Sequence, residues 1–350
     1  MNGYLHTSPL SSFCESQKDT FKKANYILLD DMLANEYVAS VTFRADQGSA
    51  LCGIAACQLL QENYDEIYSK VNHGQLAVGT FGGLAIPTVT SFMGGFEWGI
   101  YFYNKFILPK INGYDTWSEA TRNKRTVKIL KLGRQSSYFT GTFTAGDARL
   151  CVQQLLADGA DIILPVAGPQ TSDCVNEIYL QHSPCRVIGV DTPQEDGDLG
   201  NKYSTSPLWK NKTKILCFSS IKQLGLAAAN VLQINAKGLR GVYFNNETNS
   251  IVPLNYDGKP LDEQTEEIKA SFIGGTGYHN VGSLHNNLVA ISNTGKDTLI
   301  NAFTLLDNSL NDYDKVKFYL SNELFEFGDP SQNPKQTFVD FLDNNPFFVF

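Results

Sequence analysis

Along most of the chain, apolar runs of strand length alternate with segments whose apolar residues recur at three- and four-residue spacing. YILLDD (26–31), QLAVGTFGG (75–83), TVKILKL (126–132), DIILPVAG (161–168), RVIGVD (186–191), KILCFSS (214–220), GVYFN (241–245) and LVAIS (288–292) read as strands. Helical spacing links Leu51, Ile54, Ala55 and Leu59, then Val89, Phe92, Met93, Phe96, Ile100 and Tyr103. It returns at Leu150, Val152, Leu155 and Leu156, at Cys174, Val175 and Ile178, at Leu224, Ala228, Val231 and Leu232, and at Leu299, Ile300, Phe303 and Leu306. Strands without strict polar alternation, separated by helices, are buried on both faces and joined by crossovers, so the expected class is α/β with parallel sheets. The helix from Val89 also holds Gly94, Gly95 and Gly99. Each glycine costs a helix about 1 kcal/mol relative to alanine, so three together predict a close backbone approach.

A chain of 350 residues exceeds what one hydrophobic core usually supports, and two lobes are expected. The irregular stretch SSYFTGTFTAGD, from Ser136, marks the expected crossing. On this reading the first lobe is 1–137 plus a return over about 285–320, the second is 138–284, and 321–350 form a surface appendage. Within the glycine cluster IGGTGYHNVG, the GGTG at 274–277 reads as a loop.

Composition narrows the function. A net charge of -8 and a pI near 5.2 argue against a nucleic-acid partner, which needs a basic surface. The seven cysteines form no CxxC pair and have no histidine at metal-ligand spacing, so they read as small buried thiols rather than disulfides or metal ligands. Residues 74–96 are uncharged and long enough for a membrane span, but their Gly, Thr and Pro content and the turn at Ile86 and Pro87 suit strand, loop and helix better. TGKDT (294–298) imitates a phosphate-binding loop, yet Asp297 stands where Ser or Thr would hold magnesium and Ala290 replaces the first glycine. The GGTG at 274–277, with His279 and His285 nearby, lacks a strand-to-helix context. With no GxSxG, HExxH or dinucleotide fingerprint, the reading is a binding protein without cofactor or metal and not an enzyme.

The unusual residues stand at strand ends: Asp30 and Asp31, Gly168, Asp191, and then Ser219, Ser220 and Lys222. Asp and Ser form turns and caps at such places. Ligands of open parallel sheets also meet the chain there, and the repetition over four strands favours contact with a ligand.

Several ordered motifs then carry a resemblance. VASVTFRADQGSALCGIAA (38–56), VGTFGGLAIPTVTSFMGGFEWGI (78–100), YFTGTFTAGDA (138–148), DGADIILPVAG (158–168) and VIGVDTPQ (187–194) succeed one another as in the basic membrane protein family of bacterial lipoproteins, and the likeness runs over roughly 3–235. That family resembles the purine-nucleoside receptors of ABC transporters. The resemblance implies a periplasmic-binding-protein-like, type I, two-lobed flytrap closing on a nucleoside, the base between two aromatic rings and the ribose held by acidic side chains and a lysine. Carried across, the ring is Phe143, the carboxylate Asp191, the lysine Lys222 and the backbone glycine Gly168; Gln47 stands where many relatives have a glutamate. Lys222 is expected beside Asp191, holding it ionised. The implied partners are a purine nucleoside and ABC permease subunits, with an N-terminal lipid anchor on the outer face of the cell membrane for the full-length form. The family's opening strand and its Asp, Phe and Asn motif have no counterpart here, so the first lobe is expected to lack its leading strands. A sugar or other small polar ligand, or a surface adhesion lipoprotein that has lost transport, are the alternative readings.

Overall fold

Burial on both faces and regular helical spacing produce the elements where the apolar pattern places them. The computed structural model describes residues 26–31, 38–70, 74–130, 132, 138–202, 214–236, 241–245, 250–254, 278–285 and 287–325. In chain order these begin with β1 (Tyr26–Leu29), β2 (Val38–Phe43), α1 (Ala45–Glu62), β3 (Ala77–Gly82), α2 (Pro87–Phe102) and β4 (Lys128–Leu130). They continue with α3 (Arg149–Ala157), β5 (Ile162–Val166), α4 (Thr171–Leu180), β6 (Arg186–Asp191), β7 (Leu216–Lys222) and α5 (Leu224–Ala236). Last come β8 (Gly241–Asn245), β9 (Ser250–Leu254), β10 (Tyr278–Gly282), β11 (Val289–Ile291), α6 (Asn293–Leu306) and α7 (Tyr313–Tyr319).

The chain divides into two compact units, one of residues 1–44 and 222–289, the other of 45–221 and 290–350. In the first, β1, β2 and β10 form a sheet in the order β1-β2-β10, all parallel, and β8 and β9 form an antiparallel pair. The second is organised on a six-stranded sheet ordered β11-β7-β6-β5-β3-β4, parallel from β4 through β7. Every residue of β3 and β5 is buried, as a parallel sheet covered on both faces requires. Beneath this sheet Phe81, Val152, Leu155, Ile163, Val175 and Val187 form one apolar cluster.

These boundaries differ from those expected at 137/138 and 284/285. The stretch taken for a lobe crossing stays on the sheet it left: Gly82 N–H donates to the Tyr138 carbonyl, and the Thr140 and Gly141 N–H groups donate to the carbonyls of Gly82 and Gly83. The divisions fall beside helix or strand ends, at 44/45, 221/222 and 289/290, where no change of composition marks them. LVAIS was expected to return to a first lobe holding 1–137; β11 instead borders β7, in the sheet that also contains β3 to β6. The end of the glycine cluster, given no element in the sequence, is β10, whose backbone pairs with β2. The expected appendage begins inside the core, since Phe325 is buried with its ring 5.6 Å from that of Trp98. The rest of that segment, 326–350, and GGTG at 274–277 lie outside the described residues.

The helical glycines do what their cost predicts. A Cβ on Gly95 would strike the Asp46 carbonyl oxygen, one on Gly99 that of Ala50, and one on Gly53 that of Phe96. Backbone therefore meets backbone between α1 and α2, and α1 can be buried on all sides from Ala45 to Gln61. Alanine at Gly99 gains about 1 kcal/mol of helix propensity but must displace a main chain that has no rotamer to give, at about 1–3 kcal/mol. Gly99→Ala is expected to lower the urea midpoint, whereas Gly225→Ala, with open space at the new methyl, is expected to raise it by about 0.5–1 kcal/mol equivalent.

A carboxylate joins α3 to α4. Glu177, buried on α4, accepts from Gln153 Nε2 at 3.0 Å, Arg149 Nε at 2.8 Å and Gln181 Nε2 at 3.2 Å. The Gln153 amide, helped by Arg149 and Gln181, holds its carboxyl below the usual 4.5. The arginine side chain is 61% exposed, so the hydrogen bonds matter more than the ion pair. A lowered folded pKa means stability that is present above 4.5 and lost as pH falls through the folded value. Glu177→Gln is expected to cost about 1–2 kcal/mol at neutral pH, with the gap to wild type closing in denaturant titrations below pH 4.5.

Candidate functional site

The carboxyl ends of β3, β5 and β6 bring three of the sequence-chosen residues to one end of a single sheet. After β3 the chain turns at Gly83, whose N–H donates to the Val166 carbonyl at 3.1 Å. Phe143 lies on this glycine, for a Cβ there would collide with the ring and sit 2.7 Å from the Thr142 carbonyl oxygen. The ring is 37% exposed, an unusual state for a phenylalanine so near a buried sheet. β5 runs through Val166 and Ala167 to Gly168, where the Cβ position faces open space. β6 ends at Asp191, partly exposed and in the left-handed conformation with φ +67°. Aspartate is among the few side chains that tolerate this region, and residues held in sparsely populated backbone regions cluster at functional sites.

Gln194 joins these ends. Its Oε1 accepts from the Val190 N–H at 3.2 Å, its Nε2 reaches the Gly168 carbonyl at 3.4 Å, and its own N–H donates to Ser219 Oγ at 3.2 Å. Below it Glu195 is buried, yet its carboxylate accepts from Ser219 Oγ at 2.5 Å and Thr294 Oγ1 at 2.7 Å. The turn that carries Asp191 is thus tied to β5, β7 and the start of α6. Gln194 closes the motif VIGVDTPQ without being given a role there, and Glu195 had no signal, since both follow a proline as ordinary turn residues.

The other two carried residues have different settings. Gln47 is fully buried in the first turn of α1. Lys222, the last residue of β7, belongs to the other unit, and its Nζ lies 2.6 Å from Asp30 Oδ2. The lysine side chain is 3% exposed and that of Asp30 32%, so the aspartate offsets the cost of burying an ammonium while keeping contact with solvent. Asp30 follows β1 and is left-handed as well, with φ +65°. Its place at a strand end was legible, its pairing with a lysine 192 positions away was not.

In chemical terms, a partly exposed ring, a free backbone approach at Gly168 and a carboxylate that can accept from two hydroxyls suit a small ligand with a flat face and a diol. Burial pushes the thiols of Cys52, Cys57, Cys174, Cys185 and Cys217 up, the last to about 12, so they stay protonated and unreactive. The six described cysteines are free thiols, and Cys14 lies outside the described residues. Among the described residues no three His, Cys, Asp or Glu side chains gather as a metal site, and no helix is long and apolar enough to cross a membrane.

Residues 4–135 match the family model described as ABC transporter substrate-binding protein PnrA-like, Bmp. Of the carried residues, Gln47 falls within that span and the others follow it. The chain is similar to the uncharacterized lipoprotein MG040 of Mycoplasma genitalium, at 27% identity over 82% of this chain and 52% of the relative. It is similar also to the homolog of that lipoprotein in Mycoplasma pneumoniae, at 28% identity over 81% of this chain and 47% of the relative. It therefore spans about half the length of the curated relatives it matches. In fold it is similar to a solute-binding protein of an ABC transporter system from Aeropyrum pernix K1, with a TM-score of 0.51 at 15% identity over 95% of this chain and 65% of that one. Over residues 4–135 the chain thus resembles the Bmp family, and its α/β fold is similar to that of the solute-binding protein.

Proposed function

We propose that the protein is the solute-binding component of an ABC transporter and that its solute is a purine nucleoside. The observation that carries this reading is the pairing, at one sheet end, of the partly exposed Phe143 ring with the left-handed Asp191 carboxylate. A purine offers the flat face that stacks on an aromatic ring, and its ribose offers the cis-diol that one carboxylate accepts from at two points. Gly168 supplies backbone approach, and Gln47 supports the fold of the same unit as a buried amide. The protein binds without chemistry, delivers its ligand to permease subunits, and is held on the outer face of the membrane by a lipid, as the lipoprotein relatives suggest.

Calorimetry with adenosine, guanosine, their 2'-deoxy forms and ribose tests this reading. Wild type is expected to bind the purine nucleosides saturably. Phe143→Ala is expected to weaken them by about 1–3 kcal/mol, the range for base-on-ring stacking, and to leave ribose unchanged. Asp191→Ala leaves hydroxyls without their acceptor and is expected to cost about 1–3 kcal/mol for ribonucleosides, less for the deoxy forms. Tight ribose binding that ignores the loss of Phe143 would identify a sugar-binding protein instead, and no binding of any of these solutes would favour adhesion.

A further inference from the structure

We infer that Gln170 is the positioning residue that holds the loop presenting Phe143, an inference that takes its functional meaning from Phe143 being a ligand-binding ring. Gln170 ends the short turn Gly168–Gln170 after β5 and is fully buried. Its Nε2 lies 2.9 Å from the Thr142 carbonyl oxygen, 3.1 Å from that of Thr144 and 3.0 Å from Thr140 Oγ1, while its Oε1 lies 3.1 Å from the same hydroxyl. One side-chain amide thus grips the residues on both sides of Phe143. The chemistry also sets which way the amide points, because only its NH2 can face two carbonyl oxygens.

The rest of the loop cannot hold the ring by itself. Gly141, Phe143 and Thr144 are exposed, so burial fixes little there beyond the contact with Gly83. Internal bonds, from the Thr144 N–H to Thr142 Oγ1 at 2.8 Å and from Thr142 Oγ1 to Thr144 Oγ1 at 2.9 Å, shape the arc without attaching it to the sheet. The Thr140 and Gly141 N–H groups tie the start of the loop to the carbonyls of Gly82 and Gly83, and attachment of the rest comes from the segment after Gly168. Gln170 takes the first half of the loop, and Asp173, three residues on, accepts from the N–H groups of Gly146 and Ala148 at 2.8–3.1 Å and takes the second. Because Gly168 and Gln170 share one turn, the amide also fixes the ring relative to that glycine.

Two variants test this. Gln170→Met keeps the length and removes the hydrogen bonds; Gln170→Glu keeps the shape but turns an acceptor-only group toward two carbonyls. Without ligand, hydrogen exchange followed by mass spectrometry is expected to quicken over 138–147 in both variants, with β5 and β6 still protected. A general packing role would quicken exchange through the whole sheet, and unchanged exchange over 138–147 would overturn the inference. With ligand, both variants are expected to weaken adenosine about tenfold, to leave ribose unchanged, and to add nothing further in the Phe143→Ala background. A loss that adds in full to that of Phe143→Ala overturns the inference. If wild type binds no nucleoside, the proposed ligand fails, and the exchange result alone decides whether Gln170 holds the loop. Should Gln170→Met not fold, Thr140→Val, which removes one arm of the network, carries the same exchange measurement.

Discussion

The contact on which the larger unit depends is the backbone approach between α1 and α2. Gly95, Gly99 and Gly53 let the two helices meet carbonyl against Cα, with no side chain between. That closeness buries α1 on every side and sets the position of α2. Since β3 is locked between β4 and β5, the short connection from β3 to α2 is fixed at both ends. Gly83 lies in that connection, and Phe143 rests on it. A packing constraint deep in the unit is in this way transmitted to the partly exposed Phe143.

A second regularity lies at the strand ends. Asp30 and Asp191, one in each unit, follow buried apolar strands and adopt left-handed backbone. A strand that continued in extended conformation would carry these carboxylates along the sheet; the left-handed residue turns the chain and leaves the side chain at the sheet's edge. The backbone cost is met by surrounding bonds: the Asp30 N–H donates to the Val41 carbonyl, and Gln194 and Glu195 brace the turn after Asp191. Buried polar side chains near this edge are satisfied by several bonds each, which is the condition under which they rigidify a site rather than weaken it.

The sequence by itself determined most of the secondary elements, the α/β class and the family likeness. Period and strand length are local properties, so β3, β5, β6, α1 and α2 were legible to within a few residues, as was the close packing implied by Gly95 and Gly99. Phe143, Gly168 and Asp191 could be named because a resemblance pointed to them and because glycine and aspartate at strand ends are conspicuous. Only the tertiary structure decided which strands share a sheet. Parallel pairing is non-local and leaves no mark on the segments that pair, so the expected division near 137 differs from that of the two units and β10 had no signal. The same holds for the supporting polar groups. Gln170 with Thr140, Thr142 and Thr144, Glu195 with Ser219 and Thr294, and Lys222 with Asp30 are partners between 24 and 192 positions apart. A single polar residue in a turn looks alike whether it faces water or a buried partner, and only the folded chain brings the partner to it.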